Sequence, residues 1–506
     1  MHQETRRSAR RSVPRRQRHE DLFCYAAARR RGPCCNRQTI QSVRGGRVMN
    51  SQTFSTSKTA DIGSLLDDGP FTLIQKLIVC LAALSIVMDG FDGQLIGYAI
   101  PTIIKEWGIT RNAFAPAVAA GLVGMGVGSA CAGLFADRFG RRWALIGSVV
   151  VFGAATCAIG LAQNITMIAA LRFIAGLGIG GALPSATTMT AEFTPARRRT
   201  LAVTSTIVCV PLGGMLAGFF AGAVLPTFGW RGLFFIGGTI PLALGILLFF
   251  VFPESPRFLA RKEQRWTELR ALLAKMSRPI SAQTIFVDAA EQRLEQRDGF
   301  GSLFEPGQRR NTIAIWGAFF MCLLAVYAAF SWLPTMLASE GLPVTLAGSG
   351  LTAYNSGGVF GALICALAIT RFGSRWPLLV CCAGGCASAF FLRGVDVATH
   401  TRVLVIGLGV HGLFVNAVQS TMYALCAYVY PTRVRATGLA SGLAFGRLGA
   451  ILSAFAGAIV ITVGGATLYL AMLGVAMLLV LISLSAVKNH IPALRQKRLV
   501  TQVVTE

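Results

Sequence analysis

The segment GLFADRFGRR (residues 133–142) is a short charged connection between two long apolar runs of the chain. A related segment, TRFGSR (residues 370–375), also follows an apolar run, and its Arg-Phe-Gly core stands 233 residues after that of the first. A second pair, PAR (195–197) and PTR (431–433), recurs at an offset of 236 residues. Two offsets that nearly agree predict two similar halves within one chain.

Apolar spans fill most of the chain around these segments. Of its 506 residues, 54% are hydrophobic and 14% are charged, whereas soluble domains carry about 25% charged residues. Each span has about 20 residues, enough for a helix to cross roughly 30 Å of hydrocarbon. Twelve are predicted, at 77–100, 115–136, 143–162, 167–189, 200–225, 231–252, 312–335, 347–369, 376–392, 402–426, 436–462 and 464–486. The sequence therefore predicts an all-α polytopic membrane protein with twelve transmembrane helices in two pseudo-symmetric six-helix bundles, the parallel-repeat arrangement of alternating-access transporters.

A hydrophilic stretch at 253–311, with an amphipathic helix predicted near 263–276, separates the two sets of six spans. The expected organisation is an Arg-rich, disordered tail at 1–75, an N-terminal bundle at 76–252, the cytoplasmic linker loop 253–311, a C-terminal bundle at 312–487 and a cytoplasmic tail at 488–506. Lys and Arg concentrate on the side of the termini, since the loops on the other side hold only Lys105, Arg111, Arg231, Arg393 and Arg402. The positive-inside rule therefore predicts cytoplasmic termini, and we expect a monomer in the inner (plasma) membrane.

The first 48 residues differ from the rest, with 13 Arg, three acidic residues and no periodic apolar face. One interpretation is an Arg-rich transit peptide. The other, which we favour because no amphipathic repeat is present, is that translation begins at Met49. The net charge of +25 does not indicate a nucleic-acid partner, because the basic residues lie between membrane spans.

Nothing in the sequence indicates a metal site, a cofactor or an enzyme. Ten of the thirteen cysteines lie inside apolar runs and three lie in the tail, so no disulfide framework is legible. The group Cys381, Cys382 and Cys386 has no neighbouring His or carboxylate to complete a metal site, and we interpret it as packing. Nucleotide loops and catalytic arrangements of His and carboxylate beside a nucleophile are also missing from the sequence.

Asp89 and Asp92 are the acidic residues that fall well inside a span. A carboxylate at that depth is costly and by default marks a proton or substrate path. Their i, i+3 spacing places both on one helix face, where two carboxylates in a low dielectric resist ionising together. We therefore predict that they form a proton-coupling site, with Asp89 slightly preferred as the proton carrier. The alternative is that both merely bond neighbouring backbone or polar groups.

Several motifs resemble known families. GLFADRFGRR (133–142) and PESPR (253–257) resemble signature segments of the major facilitator superfamily, over about residues 75–487. DGFD (89–92), RFIAGLGIG (172–180) and RATG (435–438) resemble the aromatic acid:proton symporters. The resemblance implies import of benzoates such as 4-hydroxybenzoate or protocatechuate, driven by a proton gradient. Its partners would thus be a small aromatic carboxylate, protons and the lipid bilayer.

An aromatic carboxylate needs a cation, an apolar slot and polar handles. Arg172 and Arg447 are the basic residues well inside spans; Arg447 is predicted as the carboxylate anchor and Arg172 as a partner of Asp92. A helix–helix contact with carbonyls for Arg447, and a structural ion pair or snorkelling for Arg172, remain open. Further substrate-binding candidates from the second half are Tyr327, Trp332, Tyr354, Asn355, His411, Asn416 and Gln419, although packing is the usual role of such aromatics and of a buried His.

Charges at the short loops predict a gate on the cytoplasmic side. Its candidate residues are Gly133, Asp137, Arg138, Arg141, Arg142, Glu192, Arg371 and Arg375, with Glu192 a candidate partner for the arginines. Thr370 stands where the family usually has an acidic residue, so the second loop is expected to make a weaker gating contact. PLGG (211–214) partly matches an antiporter motif and is interpreted as helix packing.

Three other functions stay open. A sugar porter also carries the PESPR run, but the last span continues into AVKNH (486–490) without the Pro-Glu-Thr ending of that group. A drug antiporter is disfavoured because its fifth-span motif is incomplete here. A sensor that binds its ligand without flux would use 253–311 for signalling, yet that loop is short and has no recognisable domain.

Overall fold

The computed structural model describes residues 59–281, 283–288, 300–397, 399–431 and 433–493. The Arg-rich segment 1–48, the choice of Met49 as start and the last part of the predicted C-terminal tail lie outside the described residues. Thirteen α-helices and two short strands are numbered here in chain order. They are β1 (Thr59–Asp61), α1 (Ile62–Asp67), α2 (Leu73–Trp107), α3 (Arg111–Phe139), α4 (Arg141–Ile159), α5 (Ile165–Phe193), α6 (Ala196–Val251), α7 (Pro256–Ala260), α8 (Trp266–Lys275), β2 (Ile285–Val287), α9 (Arg309–Ser339), α10 (Val344–Phe372), α11 (Arg375–Arg393), α12 (Thr401–Val429) and α13 (Arg435–Ala486).

Ten helices within the described residues are long and apolar enough to cross a bilayer. Two of them, α6 with 56 residues and α13 with 52, would measure roughly 80 Å if continuous. Both are broken near the middle, α6 at Gly229 (φ 63°) and α13 at Gly464 and Gly465 (φ 54° at the latter). Because glycine adopts positive φ without steric cost, the chain reverses there. The ten helices thus supply the twelve transmembrane segments that the sequence predicts.

Glycines set the spacing between helices in the same way in both halves. A Cβ on Gly124 or Gly128 of α3 would lie 2.2 or 2.1 Å from a carbonyl oxygen of α5. In the second half, a Cβ on Gly361 of α10 or Gly412 of α12 would lie 2.0 Å from a carbonyl oxygen of the other helix. Contacts this close are possible only without side chains, as in small-xxx-small packing. Gly124 and Gly128, four residues apart, therefore fix α3 against α5.

The segment before the first span is ordered from Thr59, although a disordered tail was expected to residue 75. β1 pairs in parallel with β2 of the linker. Ile62 and Leu66, one helical turn apart on α1, are buried against a cluster that includes Leu259, Leu269 and Leu272 of α7 and α8. The amphipathic helix expected near 263–276 is α8, preceded by a 3₁₀ turn at Glu263–Arg265. Burial of these apolar faces orders the segment and holds it on the linker.

We call the face where α2 begins and α13 ends the terminal face, and the other the opposite face. Contacts between the halves include pairs on the opposite-face side of α2. Gln94 pairs with Asn355, and Tyr98 Oη lies 3.5 Å from Thr352 Oγ1. A Cβ on Gly97 would lie 2.0 Å from the carbonyl oxygen of Phe330. The two halves therefore close against each other toward the opposite face.

Replacing Gly97 with alanine is expected to loosen this closure, because the new methyl group cannot fit against a backbone carbonyl. A Thr352→Cys variant reports on it through alkylation by a membrane-impermeant maleimide from the opposite face. We expect Gly97→Ala to speed this alkylation several-fold. Gly222→Ala is the control, since a Cβ there meets no atom within 4 Å. Equal alkylation in all three backgrounds would contradict this assignment of Gly97.

Candidate substrate cavity

A cavity lies between the two halves, beside the first-half helices α2, α3, α5 and α6 and the second-half helices α9, α12 and α13. Its volume is about 60 Å³, whereas an apolar cavity of about 150 Å³ accommodates benzene. The polar lining includes Asp89, Gln94, Arg172, Tyr327, Gln419 and Arg447, and the apolar lining comes mainly from the first half. An aromatic ligand would therefore enter only as the walls move apart.

Arg447 places a guanidinium in this cavity. Its Nη1 donates a hydrogen bond of 2.8 Å to Tyr327 Oη and approaches Met125 Sδ of the first half at 3.9 Å. The backbone of α13 is close to α9 here, since a Cβ on Gly449 would lie 2.1 Å from the carbonyl oxygen of Phe320. The side chain therefore extends away from that contact toward the other half. Its Nε and Nη2 make no hydrogen bond with the described residues.

Asp89 lies in the same cavity, 7% exposed and within electrostatic range of Arg447. α2 approaches α6 closely beside it, because a Cβ on Gly90 would lie 2.1 Å from the carbonyl oxygen of Val210. Across the described part of the chain, Asp89 makes no ion pair with a direct contact. A buried carboxylate and a half-buried guanidinium from opposite halves thus share one small space.

Asp92 is fully buried behind the cavity wall rather than in it. Neither of its carboxylate oxygens has a hydrogen-bond partner among the residues the structure describes, and Thr156 and Arg172 are its polar neighbours. Arg172 lines the cavity and donates a 3.5 Å bond to the carbonyl of Gly93. Asp92 and Arg172, which were expected to pair, thus interact electrostatically but do not form a direct ion pair.

Four of the predicted substrate residues lie inside the second half, away from the cavity. Trp332 packs against Gly457, because a Cβ on that glycine would lie 2.4 Å from Trp332 Cδ1. The ring centroids of Tyr354 and His411 are 5.9 Å apart. His411 Nδ1 is within hydrogen-bond distance of Ser388 Oγ (3.0 Å) and the Gly385 carbonyl (3.1 Å). Asn416 Nδ2 donates to the Gly412 carbonyl at 3.0 Å. These side chains stabilise helix packing, because the faces that carry them point into the bundle.

Asn355 also lies outside the cavity, where it bonds Gln94 across the two halves. Sequence reasoning missed several lining residues, which are Gln94, Met125, Phe330, Ser331, Ser420 and Tyr423. A signal existed for two of them. Gln94 is a polar residue in the same predicted span as Asp89, and Tyr423 follows Gln419 by four residues on one helix face.

At the terminal face, the loop between α3 and α4 is held by two buried carboxylates. Arg141 Nη1 forms an ion pair of 2.7 Å with Glu192, which also accepts a hydrogen bond from Ser255 Oγ. Glu254, 1% exposed, accepts the backbone N–H groups of Arg141 (2.9 Å), Arg142 (3.0 Å) and Ser255 (2.8 Å) through Oε1. The PESPR run thus supplies the acceptor at the N-terminus of α4, where a carboxylate is favoured.

The remaining gating candidates are exposed. Gly133, Asp137 and Arg138 lie at the end of α3, and Asp137 forms no ion pair within the described residues. Arg371 and Arg375 flank the loop between α10 and α11 and are likewise exposed. That loop binds the chain after α13, because Ser374 exchanges hydrogen bonds of 2.9 and 2.8 Å with Ile491. Burial, followed by the charge of Arg375, lowers the pKa of the neighbouring His490.

Glu254 offers a test of the loop. Its replacement by alanine is expected to cost roughly 2–4 kcal/mol, because three backbone donors lose a buried acceptor. Burial raises the pKa of Glu254, so the acceptor matters more than the charge, and Glu254→Gln should retain most of the stability. Since the raised pKa means that the folded state binds the proton more tightly than the unfolded state, the stability of wild type relative to Glu254→Gln should increase as pH falls. Melting temperatures in detergent, with exposed Glu263→Ala as the control, measure both effects; equal losses in Glu254→Gln and Glu254→Ala would contradict this account.

Known proteins are similar to this chain in sequence. The family model described as Major Facilitator Superfamily matches residues 82–350 and 315–502. The gallate transporter of Pseudomonas putida is 33% identical over 82% of this chain and 92% of its own. The 4-hydroxybenzoate transporter PcaK of Pseudomonas putida is 34% identical over 82% of this chain and 93% of its own.

The fold is also found in solved structures. The xylose transporter XylE from E. coli, in a partially occluded inward open conformation, superimposes with a TM-score of 0.67 at 18% identity, covering 83% of this chain and 99% of that chain. At that identity the likeness establishes the helical fold. The sequence matches go further. The chain is related to transporters of 4-hydroxybenzoate and gallate. It is therefore a membrane transporter and not an enzyme, and it belongs to the aromatic acid:proton symporter family of the Major Facilitator Superfamily.

Proposed function

We propose that this transporter imports an aromatic carboxylate of the 4-hydroxybenzoate type together with protons. The observation that carries the proposal is the joint presence of Arg447 and Asp89 in one buried cavity between the two halves. A fixed cation selects an anion, and a buried carboxylate beside it can exchange a proton. The relatives named above, which transport gallate and 4-hydroxybenzoate, support the same substrate class.

Arg447 is the proposed anchor for the substrate carboxylate. Tyr327 occupies one nitrogen of its guanidinium and fixes the orientation of the plane. The other nitrogens leave donors for the substrate, and a planar guanidinium matches a carboxylate with two parallel hydrogen bonds. The ring would then lie against the apolar wall, to which Val118, Leu122 and Ile179 contribute.

Proton coupling follows from charge balance in this cavity. Before substrate enters, Asp89 and Arg447 compensate each other in a low-dielectric space. An entering carboxylate adds a second anion near one guanidinium, which is unfavourable unless a proton neutralises one of the two carboxylates. Protonation of Asp89 therefore favours binding, and release of the proton favours release of the substrate. Asp92, behind the wall beside Arg172, is proposed as the second member of the path.

The proposed cycle moves the halves 76–252 and 312–487 against each other, with 253–311 as their connection. In the state described here the halves are closed at the opposite face, and in the proposed cycle the cavity of this state would open to the terminal face. We propose that the terminal face is cytoplasmic and that the transporter acts as a monomer in the inner membrane. The exposed Asp137, Arg138, Arg371 and Arg375 would then engage neighbouring helix ends when the terminal face closes, while Arg141 and Glu192 hold the loop in shape.

Competition in proteoliposomes tests the substrate class. We expect uptake of labelled 4-hydroxybenzoate to be inhibited by unlabelled gallate and benzoate, and to be indifferent to xylose and to benzyl alcohol, which lacks the carboxylate. Inhibition by xylose would favour a sugar porter instead. Saturable binding of 4-hydroxybenzoate without any flux would favour a sensor and would overturn the proposal.

A further inference from the structure

We infer that Gln94 reads the ring substituent opposite the carboxylate, with Asn355 positioning it, so that the transporter selects para-hydroxylated acids. The inference rests on the proposed function, since it needs the substrate carboxylate at Arg447. Gln94 lines the cavity and is 2% exposed, whereas Asn355 is fully buried behind it. Neither residue carries charge, so their role differs from that of the anchor and the proton carrier.

The distance along the helices suits a benzoate ring. Arg447 lies at the level of Tyr327, which it bonds, and faces Asp89. Gln94 follows Asp89 by five residues, or about 7.5 Å along α2, and Ser331 follows Tyr327 by four residues, or about 6 Å along α9. Both α2 and α9 run toward the opposite face, so these two polar side chains line the cavity about one ring length beyond the guanidinium. The side chains between the two polar ends include Phe330 and Leu122, which suit the ring faces.

The side-chain amide of Gln94 has an unused hydrogen-bond donor and an unused acceptor for a ligand hydroxyl. Asn355 Nδ2 donates to Gln94 Oε1 (2.7 Å) and to the Leu351 carbonyl (3.0 Å), which uses both of its N–H groups. Gln94 Nε2 donates one N–H to Asn355 Oδ1 at 3.3 Å. A primary amide has two donors and an oxygen with two lone pairs, so one N–H and one lone pair of Gln94 remain for a ligand. A phenol, which both donates and accepts, can use either.

The Gln94 amide is also held from behind. A Cβ on Gly214 would lie 2.1 Å from Gln94 Nε2, so only glycine there leaves space for the amide. This gives the PLGG segment (211–214) a role beyond helix packing. With Asn355 on one side and the α6 backbone on the other, the amide has little rotational freedom. A rigid polar group positioned to bond a hydroxyl discriminates strongly against a ring that lacks one, because its hydrogen bonds are then left unmade.

Substrate preference in proteoliposomes tests the inference, through the uptake specificity (Vmax/KM) for 4-hydroxybenzoate, 3-hydroxybenzoate and benzoate. For wild type we expect 4-hydroxybenzoate to be preferred over both other acids. Gln94→Met keeps the side-chain length but removes the hydrogen bonds, and should lower the ratio of 4-hydroxybenzoate to benzoate specificity by roughly 10- to 100-fold, mainly through KM. Asn355→Leu frees the amide and should lower the same ratio by a smaller factor.

Ser331→Ala is the milder second variant, since it removes one hydroxyl and should lower the ratio several-fold even if Gln94→Met does not fold. An unchanged ratio in these variants, with benzoates still transported, overturns the inference but leaves the proposed function standing. A wild type that prefers 3-hydroxybenzoate or benzoate also overturns it. Failure of wild type to transport any of the three acids is a different result, because it overturns the proposed function itself.

Discussion

Replacing Arg447 with glutamine is expected to lower the apparent affinity for 4-hydroxybenzoate by at least about 100-fold, since removing one partner of a buried ionic contact costs roughly 3–5 kcal/mol. Arg447→Lys should fall in between, with a loss of about tenfold or more. Lysine retains the charge but cannot bond Tyr327 and hold a carboxylate with two parallel hydrogen bonds. The graded order, wild type, lysine, glutamine, separates carboxylate binding from helix packing.

Equilibrium binding of labelled 4-hydroxybenzoate to purified protein measures this effect, with melting temperature as the check on folding. A purely structural Arg447, which contacts carbonyls of neighbouring helices, would instead lower the melting temperature and leave the affinity of the folded fraction unchanged. Wild-type affinity in a folded Arg447→Gln variant would exclude this residue as the anchor.

The second large effect is expected at Asp89. Asp89→Asn should abolish accumulation of substrate driven by an inward proton gradient, while exchange of labelled for unlabelled substrate continues at a rate within a few-fold of wild type. The amide mimics the protonated carboxyl group, so the variant binds substrate but has no proton to release. Uncoupled exchange of this kind is a different result from general inactivation.

Asp92→Asn is the matched comparison for Asp89→Asn. Asp92 lies behind the cavity wall, and neither of its carboxylate oxygens has a hydrogen-bond partner among the described residues. The substitution removes a carboxylate that interacts electrostatically with Arg172. Because the buried Arg172 would lose this electrostatic partner, we expect a drop in melting temperature in addition to any loss of coupling. Accumulation at the wild-type level in Asp89→Asn, together with its loss in a stable Asp92→Asn, would move the coupling proton to Asp92.

The sequence is sufficient for the fold because span length, charged loops and two repeat offsets are independent signals that agree. It also identifies the ionisable residues of the cavity, Asp89, Arg172 and Arg447, since a charge inside a span is rare and costly. Tyr327 and Gln419 were predicted as well. The sequence signal for these two is weaker, because neutral side chains in membrane helices carry no such cost.

The candidates that lie outside the cavity have the same physical explanation. Trp332, Tyr354, His411 and Asn416 lie on helices that are apolar on every side, so no amphipathic pattern tells the cavity face from the bundle face. Gln94 was missed for the same reason. The order of residues 59–72 depends on contacts of Ile62 and Leu66 with the distant linker, which local sequence does not reveal. The sequence shows Glu254 only as part of the PESPR motif, because its role depends on its contacts with the distant loop between α3 and α4.

Proton movement during transport tests the central claim most directly. Wild-type proteoliposomes in weakly buffered medium, with no imposed gradient, receive unlabelled 4-hydroxybenzoate while the external pH is recorded. Symport predicts a saturable external alkalinisation that depends on the substrate and is absent in Asp89→Asn. If labelled substrate enters wild-type proteoliposomes under the same conditions without any change in external pH, proton coupling is contradicted and the protein is a facilitator.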